Sequence, residues 1–169
     1  MARHLHHHPS LELHGTDIDA AAVRWCRQNL CGHFQRNEYG KPLQYEDDTF
    51  DVVLAIAVFP HMNLEDQAFY MAEVKRVVKP GGTLLLTLKG WHRRSELSHE
   101  ERELFDSGLP VVREPLYSTQ RYCLAYHPHE FAAGVMAPGF KLLLSVPVGS
   151  EDTGQDAYIY AREKCTGNP

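Results

Sequence analysis

Two apolar runs joined by an amphipathic stretch restrict this chain to a narrow set of folds. The first run extends from Phe50 to Phe59 and is almost continuously β-branched or apolar, and the second, "TLLLTL", extends from Thr83 to Leu88. Runs of this length and composition are typical of strands that are buried on both faces of a parallel sheet. The sequence therefore predicts two buried strands joined by a crossover connection.

The stretch between the two runs is predicted to be a helix. Asn63 is its expected N-cap, and Asp66 stands three residues later, as in a capping box. Residues at helical spacing predict its apolar face, namely Leu64, Ala68, Met71, Val74 and Val78. Lys75, Arg76 and Lys79 gather near its C-terminus, where the helix dipole favours cations. The sequence "PGG" at 80–82 ends the helix before the second apolar run.

The same alternation of strands and helices extends in both directions. Upstream, a short strand over Leu11–Thr16 is followed by a helix with Asp19 as its N-cap and by a strand over His33–Arg36. Downstream, the expected elements are helices over Ser98–Ser107 and His129–Met136 and strands over Lys141–Val148 and Asp156–Lys164. The turn between the last two strands is too short for a parallel crossover, so they are expected to be antiparallel. This pattern predicts an α/β fold in a single domain, residues 1–169.

Composition restricts the classes of partner. The chain has 169 residues and a formal net charge of −5, which gives no reason to expect a polyanion such as nucleic acid. The small basic group of Lys89, Arg93 and Arg94 is interpreted as a solvated loop. The longest apolar run is much too short to span a bilayer, so no membrane association is expected.

The cysteine and histidine residues are not expected to bind a metal ion. None of the four cysteines, Cys26, Cys31, Cys123 and Cys165, forms a CxxC pair, and reduced thiols in a cytoplasmic protein are expected. Five histidines fall in the first fourteen residues, at positions 4, 6, 7, 8 and 14. They are interpreted as the polar end of a helix or terminus, because no carboxylate or cysteine cluster joins them. No metal site is predicted.

Three segments resemble class I methyltransferases that use S-adenosylmethionine. "GTDID" is similar to the acidic end of that family's second strand, and "YEDDTFDVVLAIAVFPHM" is similar to its fourth-strand motif. "MAEVKRVVKPGGTLLLT" is similar to its fourth helix, Pro-Gly-Gly turn and fifth strand. The order and spacing of the three segments match the family from Leu11 to Lys164. The resemblance implies a Rossmann-like methyltransferase fold, with a mostly parallel sheet and an antiparallel C-terminal strand.

The resemblance also implies a set of site residues. Asp17 would accept hydrogen bonds from the ribose hydroxyls of S-adenosylmethionine, and Ile18 would lie against the adenine. Asn37 would accept a hydrogen bond from the adenine amino group through its side-chain oxygen. Ala55 would lie under the methionine portion of the cofactor, and His61 is the candidate general base. For each residue a structural role stays open: a helix cap for Asp17, core packing for Ile18, and loop positions for Asn37 and His61.

One part of the family pattern is absent from the sequence. The family's first strand and the glycine-rich loop that follows it would precede Asp17, yet only sixteen residues do so and Gly15 is their single glycine. The chain is therefore expected to be N-terminally truncated and to lack the usual first strand. Either another segment or a second copy in a homo-oligomer would complete the sheet, or the second and fourth strands of the family would close together.

The leading functional hypothesis is methyl transfer from S-adenosylmethionine to a small-molecule acceptor. Tyr117, Tyr122 and Tyr126 could shape the acceptor pocket, although core packing is the favoured interpretation for most of them. The alternative is a non-catalytic methyltransferase-like protein that keeps the fold as a binding or scaffold module. A nicotinamide-dependent oxidoreductase shares the ribose acid but fits the Pro-Gly-Gly turn and the Phe-Asp strand poorly.

Overall fold

The computed structural model describes residues 2–114, 123–147 and 154–164. Its helices are α1 (Ala2–Leu5), α2 (Ala20–Asn29), α3 (Leu64–Val77), α4 (His99–Asp106) and α5 (His129–Gly134), with 3₁₀ turns at Phe59–His61 and Trp91–Glu96. Its strands are β1 (His14–Asp17), β2 (His33–Arg36), β3 (Phe50–Ala55), β4 (Val78–Leu88), β5 (Val111–Arg113), β6 (Leu124–Tyr126), β7 (Phe140–Val146) and β8 (Asp156–Arg162). The chain divides into two compact units, Met1–Gln44 and Tyr45–Pro169.

The first unit is built on a parallel strand pair. His14 to Asp17 of β1 run in register with His33 to Arg36 of β2, and α2 connects the two strands. Asp19 caps α2 through its carboxylate, as expected from its position before the first helical turn. Glycine is required at Gly15, because a Cβ there would lie 2.7 Å from Cδ1 of the Phe34 ring on the neighbouring strand.

The second unit contains a four-stranded sheet in the order β3-β4-β8-β7. β3 and β4 are parallel, whereas β8 is antiparallel to both β4 and β7. The predicted parallel crossover and the antiparallel closing strands are therefore confirmed. A separate antiparallel pair, β5 and β6, contributes Val111 and Tyr126 to a small core that also contains Leu97 and Phe105. Ser98 starts α4 with a complete capping box that Glu101 closes.

The prediction that both apolar runs are buried on two faces is correct only in part for β4 and is wrong for β3. Leu84, Leu86 and Leu88 on one face of β4 are fully buried, and on the other face Thr87 is buried while Thr83 and Leu85 are half-buried. Val52 and Leu54 of β3 are 54% and 39% exposed. The reason is their place in the sheet. β4 lies between β3 and β8, while β3 is an edge strand of this sheet among the described residues.

The buried face of α3 is rotated from the predicted one. Met71 and Val74 are buried as expected, but Leu64 and Ala68 are exposed. The residues that complete the buried face are Gln67, Tyr70 and Val77. α3 ends at Val77, before the Pro-Gly-Gly sequence, so Val78 and Lys79 belong to β4. Lys79 Nζ forms an ion pair with Asp51 of β3 at 2.8 Å instead of interacting with the helix end.

Candidate functional site

The carboxyl ends of β1 and β2 bring Asp17 and Asn37 together. Asp17 is the last residue of β1, and Asn37 directly follows β2. The Asn37 amide N–H donates to the Asp17 carbonyl oxygen at 2.9 Å, which continues the parallel pairing by one residue. The two side chains therefore start from adjacent points at the edge of the sheet where α/β proteins bind ligands.

Asp17 and Asp19 have separate local roles. Asp19 Oδ1 accepts from the amides of Ala21 and Ala22 at 2.7 and 3.3 Å and so caps α2. Asp17 Oδ1 accepts from the Asp19 amide at 2.9 Å, which fixes the orientation of its carboxylate. Asp17 is exposed, and the structure gives its second carboxylate oxygen no partner within the described residues. Asp19 is thus the N-cap of α2, and the Asp17 carboxylate remains able to accept hydrogen bonds from a ligand.

The side chain of Asn37 is buried at this edge and carries a polar atom without a hydrogen-bond partner among the described residues. The residue is 5% exposed, yet its Oδ1 has no hydrogen-bond partner among the described residues. A buried acceptor without a donor costs about 1–3 kcal/mol, and such exceptions in a folded protein require an explanation. A hydrogen-bond donor on a ligand would supply the missing partner.

Ile18 lies between these two residues and is half-buried. Its carbonyl oxygen accepts from Arg36 Nε at 3.1 Å, which links the end of β1 to the end of β2 a second time. The backbone around Asp17 is therefore fixed from both strands. The predicted contact of the Ile18 side chain with adenine stays a prediction.

In the second unit, buried side chains hold the segment that follows β3. Ala57 adopts a left-handed conformation with φ 54°, which residues other than glycine rarely do. Its amide donates to Thr87 Oγ1 at 2.9 Å, and the Thr87 hydroxyl donates to Gln155 Oε1 at 2.6 Å. A conformation of this kind persists only when its surroundings enforce it, and it is frequent at functional sites.

Gln67 and His127 hold the other end of this segment. The Gln67 amide nitrogen donates to the carbonyl oxygens of Phe59 and Met62 at 3.2 and 2.9 Å. Gln67 Oε1 therefore faces Nε2 of His127, 2.9 Å away, and the contact requires that His127 carries its proton on Nε2. His127 is fully buried, and burial lowers its pKa to about 3. The signal for this network in the sequence is Gln67, a polar residue at helical spacing from Met71 and Val74.

Ala55 and His61 both belong to this part of the second unit. Ala55 is the buried last residue of β3, and His61 lies half-buried in the 3₁₀ turn Phe59–His61 between the two anchors just described. A turn anchored on both sides gives His61 a defined backbone position. The cofactor role of Ala55 and the catalytic role of His61 remain predictions.

The basic group after β4 differs from the solvated loop expected from the sequence. Lys89, Arg93 and Arg94 are all half-buried. Lys89 Nζ lies 5.6 Å from the centre of the buried Tyr126 ring, and burial lowers the pKa of this lysine. Arg93 pairs with Glu96 at 2.7 Å, and Arg94 pairs with Asp106. Tyr126 packs in the core, and Tyr117 and Tyr122 lie outside the described residues.

Comparison with known families identifies the first half of the chain. Residues 1–86 match a family model described as a methyltransferase domain. A phthiotriol/phenolphthiotriol dimycocerosates methyltransferase of Mycobacterium ulcerans is 38% identical over 101 residues, which are 56% of this chain and 34% of that protein. A 2-methyl-6-phytyl-1,4-hydroquinone methyltransferase of Synechocystis is 41% identical over 54 residues, 32% of this chain and 16% of that protein. The chain thus spans about a third or less of the length of these relatives.

Solved structures of the same fold cover almost all of the chain. An S-adenosylmethionine-dependent methyltransferase from Mesorhizobium loti aligns with a TM-score of 0.70 and 14% identity over 95% of this chain and 84% of its own. A methyltransferase from Methanosarcina mazei aligns with a TM-score of 0.64 and 16% identity over 90% of this chain and 82% of its own. The predicted Rossmann-like methyltransferase fold is therefore confirmed.

One further structural observation concerns membranes. No helix in the described part of the chain is both long enough and apolar enough to cross a bilayer.

The family model that matches residues 1–86 and the fold shared with the solved structures both indicate the same family. This chain belongs to the methyltransferase domain family, in the class I group that is defined by its use of S-adenosylmethionine.

Proposed function

We propose that this chain acts as one methyltransferase-like domain, which binds S-adenosylmethionine and catalyses methyl transfer to a small-molecule acceptor. The observation that carries the proposal is the buried Asn37 Oδ1, which has no partner among the described residues. Asn37 is paired through its backbone amide with Asp17, whose carboxylate is exposed. An amide oxygen can accept from an adenine amino group, and a carboxylate can accept from two ribose hydroxyls. The two residues thus fit the adenosine half of the cofactor.

The protein's contribution to the reaction would be mainly positional. The bound cofactor supplies a sulfonium methyl group that a nucleophile can displace directly. Asp17 and Asn37 would orient the adenosine, and His61, whose turn is anchored on both sides, is the proposed general base. Ala55, at the buried end of β3, would border the methionine portion.

A small acceptor agrees with the charge of the chain. The net charge of −5 disfavours a nucleic acid, whose binding rests largely on cationic side chains. The Mycobacterium ulcerans and Synechocystis relatives are both named for small-molecule acceptors, a phthiotriol derivative and a hydroquinone. Both observations favour a small molecule over a polymer.

Calorimetric titration with S-adenosylmethionine and S-adenosylhomocysteine tests the proposal. We expect both ligands to bind the unmodified chain, and Asp17→Ala to weaken binding about tenfold to a hundredfold, because hydrogen bonds to a charged group contribute about 1.5–3 kcal/mol. Asn37→Leu removes the acceptor oxygen and should weaken binding about tenfold, whereas Asn37→Asp retains an oxygen and should bind within a few-fold of the unmodified chain.

Two variants serve as matched controls. Asp51→Ala removes an exposed carboxylate that pairs with Lys79, and Asn29→Leu removes an exposed amide that donates to the Trp25 carbonyl. Both should leave the affinity for the two ligands unchanged. Absence of binding to the unmodified chain would contradict the proposal, and so would an affinity of Asp17→Ala or Asn37→Leu equal to that of the unmodified chain.

A further inference from the structure

A second cluster of polar side chains lies at the amino ends of β1 and β2. The edge of this strand pair that carries Asp17 and Asn37, called here the ligand edge, is at the opposite, carboxyl ends of the two strands. His14 is the first residue of β1 and His33 is the first residue of β2, and the two are register partners. Their rings are stacked with centroids 4.8 Å apart. Glu12, just before β1, places Oε1 3.0 Å from His14 Nε2 and 3.9 Å from His33 Nε2.

The spacing of these atoms resembles that of a metal site. One ligand atom from each of the three residues lies within 4.8 Å of the other two. A tetrahedral zinc ion with bonds of about 2.0–2.1 Å holds its ligand atoms roughly 3.4 Å apart, between the two distances to Glu12 Oε1. Glu12 and His33 are exposed, so modest rotation of their side chains would bring the atoms to bonding distance.

We propose that Glu12, His14 and His33 form a binding site for a borderline divalent transition metal, with Zn²⁺ as the reference ion. Two imidazoles and one carboxylate are the ligand set that zinc accepts, with a water molecule in the fourth position. Calcium and magnesium prefer sites made of oxygen atoms, so a site with two nitrogen ligands selects against them.

The position of the site gives it a structural consequence. Its ligands come from both strands of the first unit, and the chain between His14 and His33 contains α2. A bound ion would fasten β1 to β2 at one end, while the Asn37–Asp17 backbone hydrogen bond fastens them at the other. An ion that binds only the folded chain raises its stability by mass action. Metal binding by these three residues is independent of the proposed function.

The sequence did not predict this site because its third ligand comes from a different strand. Along the chain, Glu12 and His14 are separated by one residue and alone form only an ordinary pair. His33 joins them through the strand register, nineteen positions later in the chain.

The decisive experiment measures Zn²⁺ affinity by competition with a chromogenic chelator. Because His4, His6, His7 and His8 could bind zinc independently, all four are first replaced by asparagine to give a background variant. We expect the background variant to bind one Zn²⁺ per chain and to show a higher thermal midpoint with Zn²⁺ than with EDTA. Mg²⁺ should produce neither effect.

Single replacements of the ligands are then made in this background. Glu12→Gln and His33→Asn should each weaken Zn²⁺ binding by more than about tenfold and abolish the rise in the thermal midpoint. Because both residues are exposed, these variants should unfold at the background temperature in EDTA. His99→Asn is the matched control, since His99 lies 3.5 Å from Glu103 in an exposed pair and should leave Zn²⁺ affinity unchanged.

Two results would overturn the inference. Loss of Zn²⁺ binding in the background variant would assign the ion to the N-terminal histidines. Unchanged affinity in His33→Asn or Glu12→Gln would show that these residues are not ligands.

Discussion

Leu86→Ala is expected to lower the free energy of unfolding by about 3 kcal/mol, within the range of about 2–5 kcal/mol for buried leucine truncations. Leu86 is fully buried in β4, where it is the register partner of Ala55 on β3 and of Tyr158 on β8. Neighbours on both strands restrict the collapse of the site, so the truncation leaves a cavity in addition to the lost transfer free energy. Urea denaturation followed by circular dichroism measures the change.

Leu143→Ala provides the matched control in the same sheet. Leu143 lies on β7 and is 57% exposed, so its truncation removes little buried apolar surface. We expect a loss of less than about 1 kcal/mol. Equal losses in the two variants would contradict the assignment of β4 to the centre of the sheet.

His127→Gln is expected to flatten the dependence of stability on pH. Burial lowers the pKa of His127 to about 3 from the ordinary value of 6.5, so between these values the unfolded chain binds a proton that the folded chain excludes. His127 therefore costs the folded chain stability as the pH falls below about 6.5, by about 2 kcal/mol between pH 7 and pH 5. Glutamine cannot titrate, and it retains an amide donor that can reach Gln67 Oε1.

Urea denaturation at pH 7 and at pH 5 measures the difference. The loss of stability between the two pH values should be about 2 kcal/mol smaller in His127→Gln than in the unmodified chain. His99→Gln is the control, because His99 is exposed and its replacement should leave the loss unchanged. A pH dependence that is the same in His127→Gln and in the unmodified chain would contradict the neutral, buried state of His127.

Local signals in the sequence were sufficient for most of the framework. Asp19, Asn63 and Ser98 each start a helix with a side-chain cap, because capping depends on residues within one turn of the chain. The continuous apolar run at Thr83–Leu88 likewise predicts a central strand, because an uninterrupted run of apolar residues is a local pattern in the sequence. Resemblance to the family points to Asp17 and Asn37, and the structure adds that they lie at the carboxyl ends of adjacent parallel strands.

Burial and long-range contacts were harder to predict. The apolar composition of β3 equals that of a central strand, yet its place at the edge of its sheet leaves Val52 and Leu54 exposed. The buried face of α3 includes Gln67 because that side chain is satisfied by His127, sixty residues later. No local pattern contains such a partner, since it becomes a neighbour only after the chain has folded.

The sequence by itself determined the order of the helices α2 to α5 and of the strands other than β5 and β6, the caps of α2 and α3, the parallel crossover and the methyltransferase family. These depend on hydrophobic periodicity and on turn residues, which act over a few positions. Only the tertiary structure decided which apolar residues are buried, which acceptor at the ligand edge lacks a donor, and which histidine meets Glu12 and His14. Those properties depend on the pairing of distant strands, which fixes the neighbours of each side chain and its access to water.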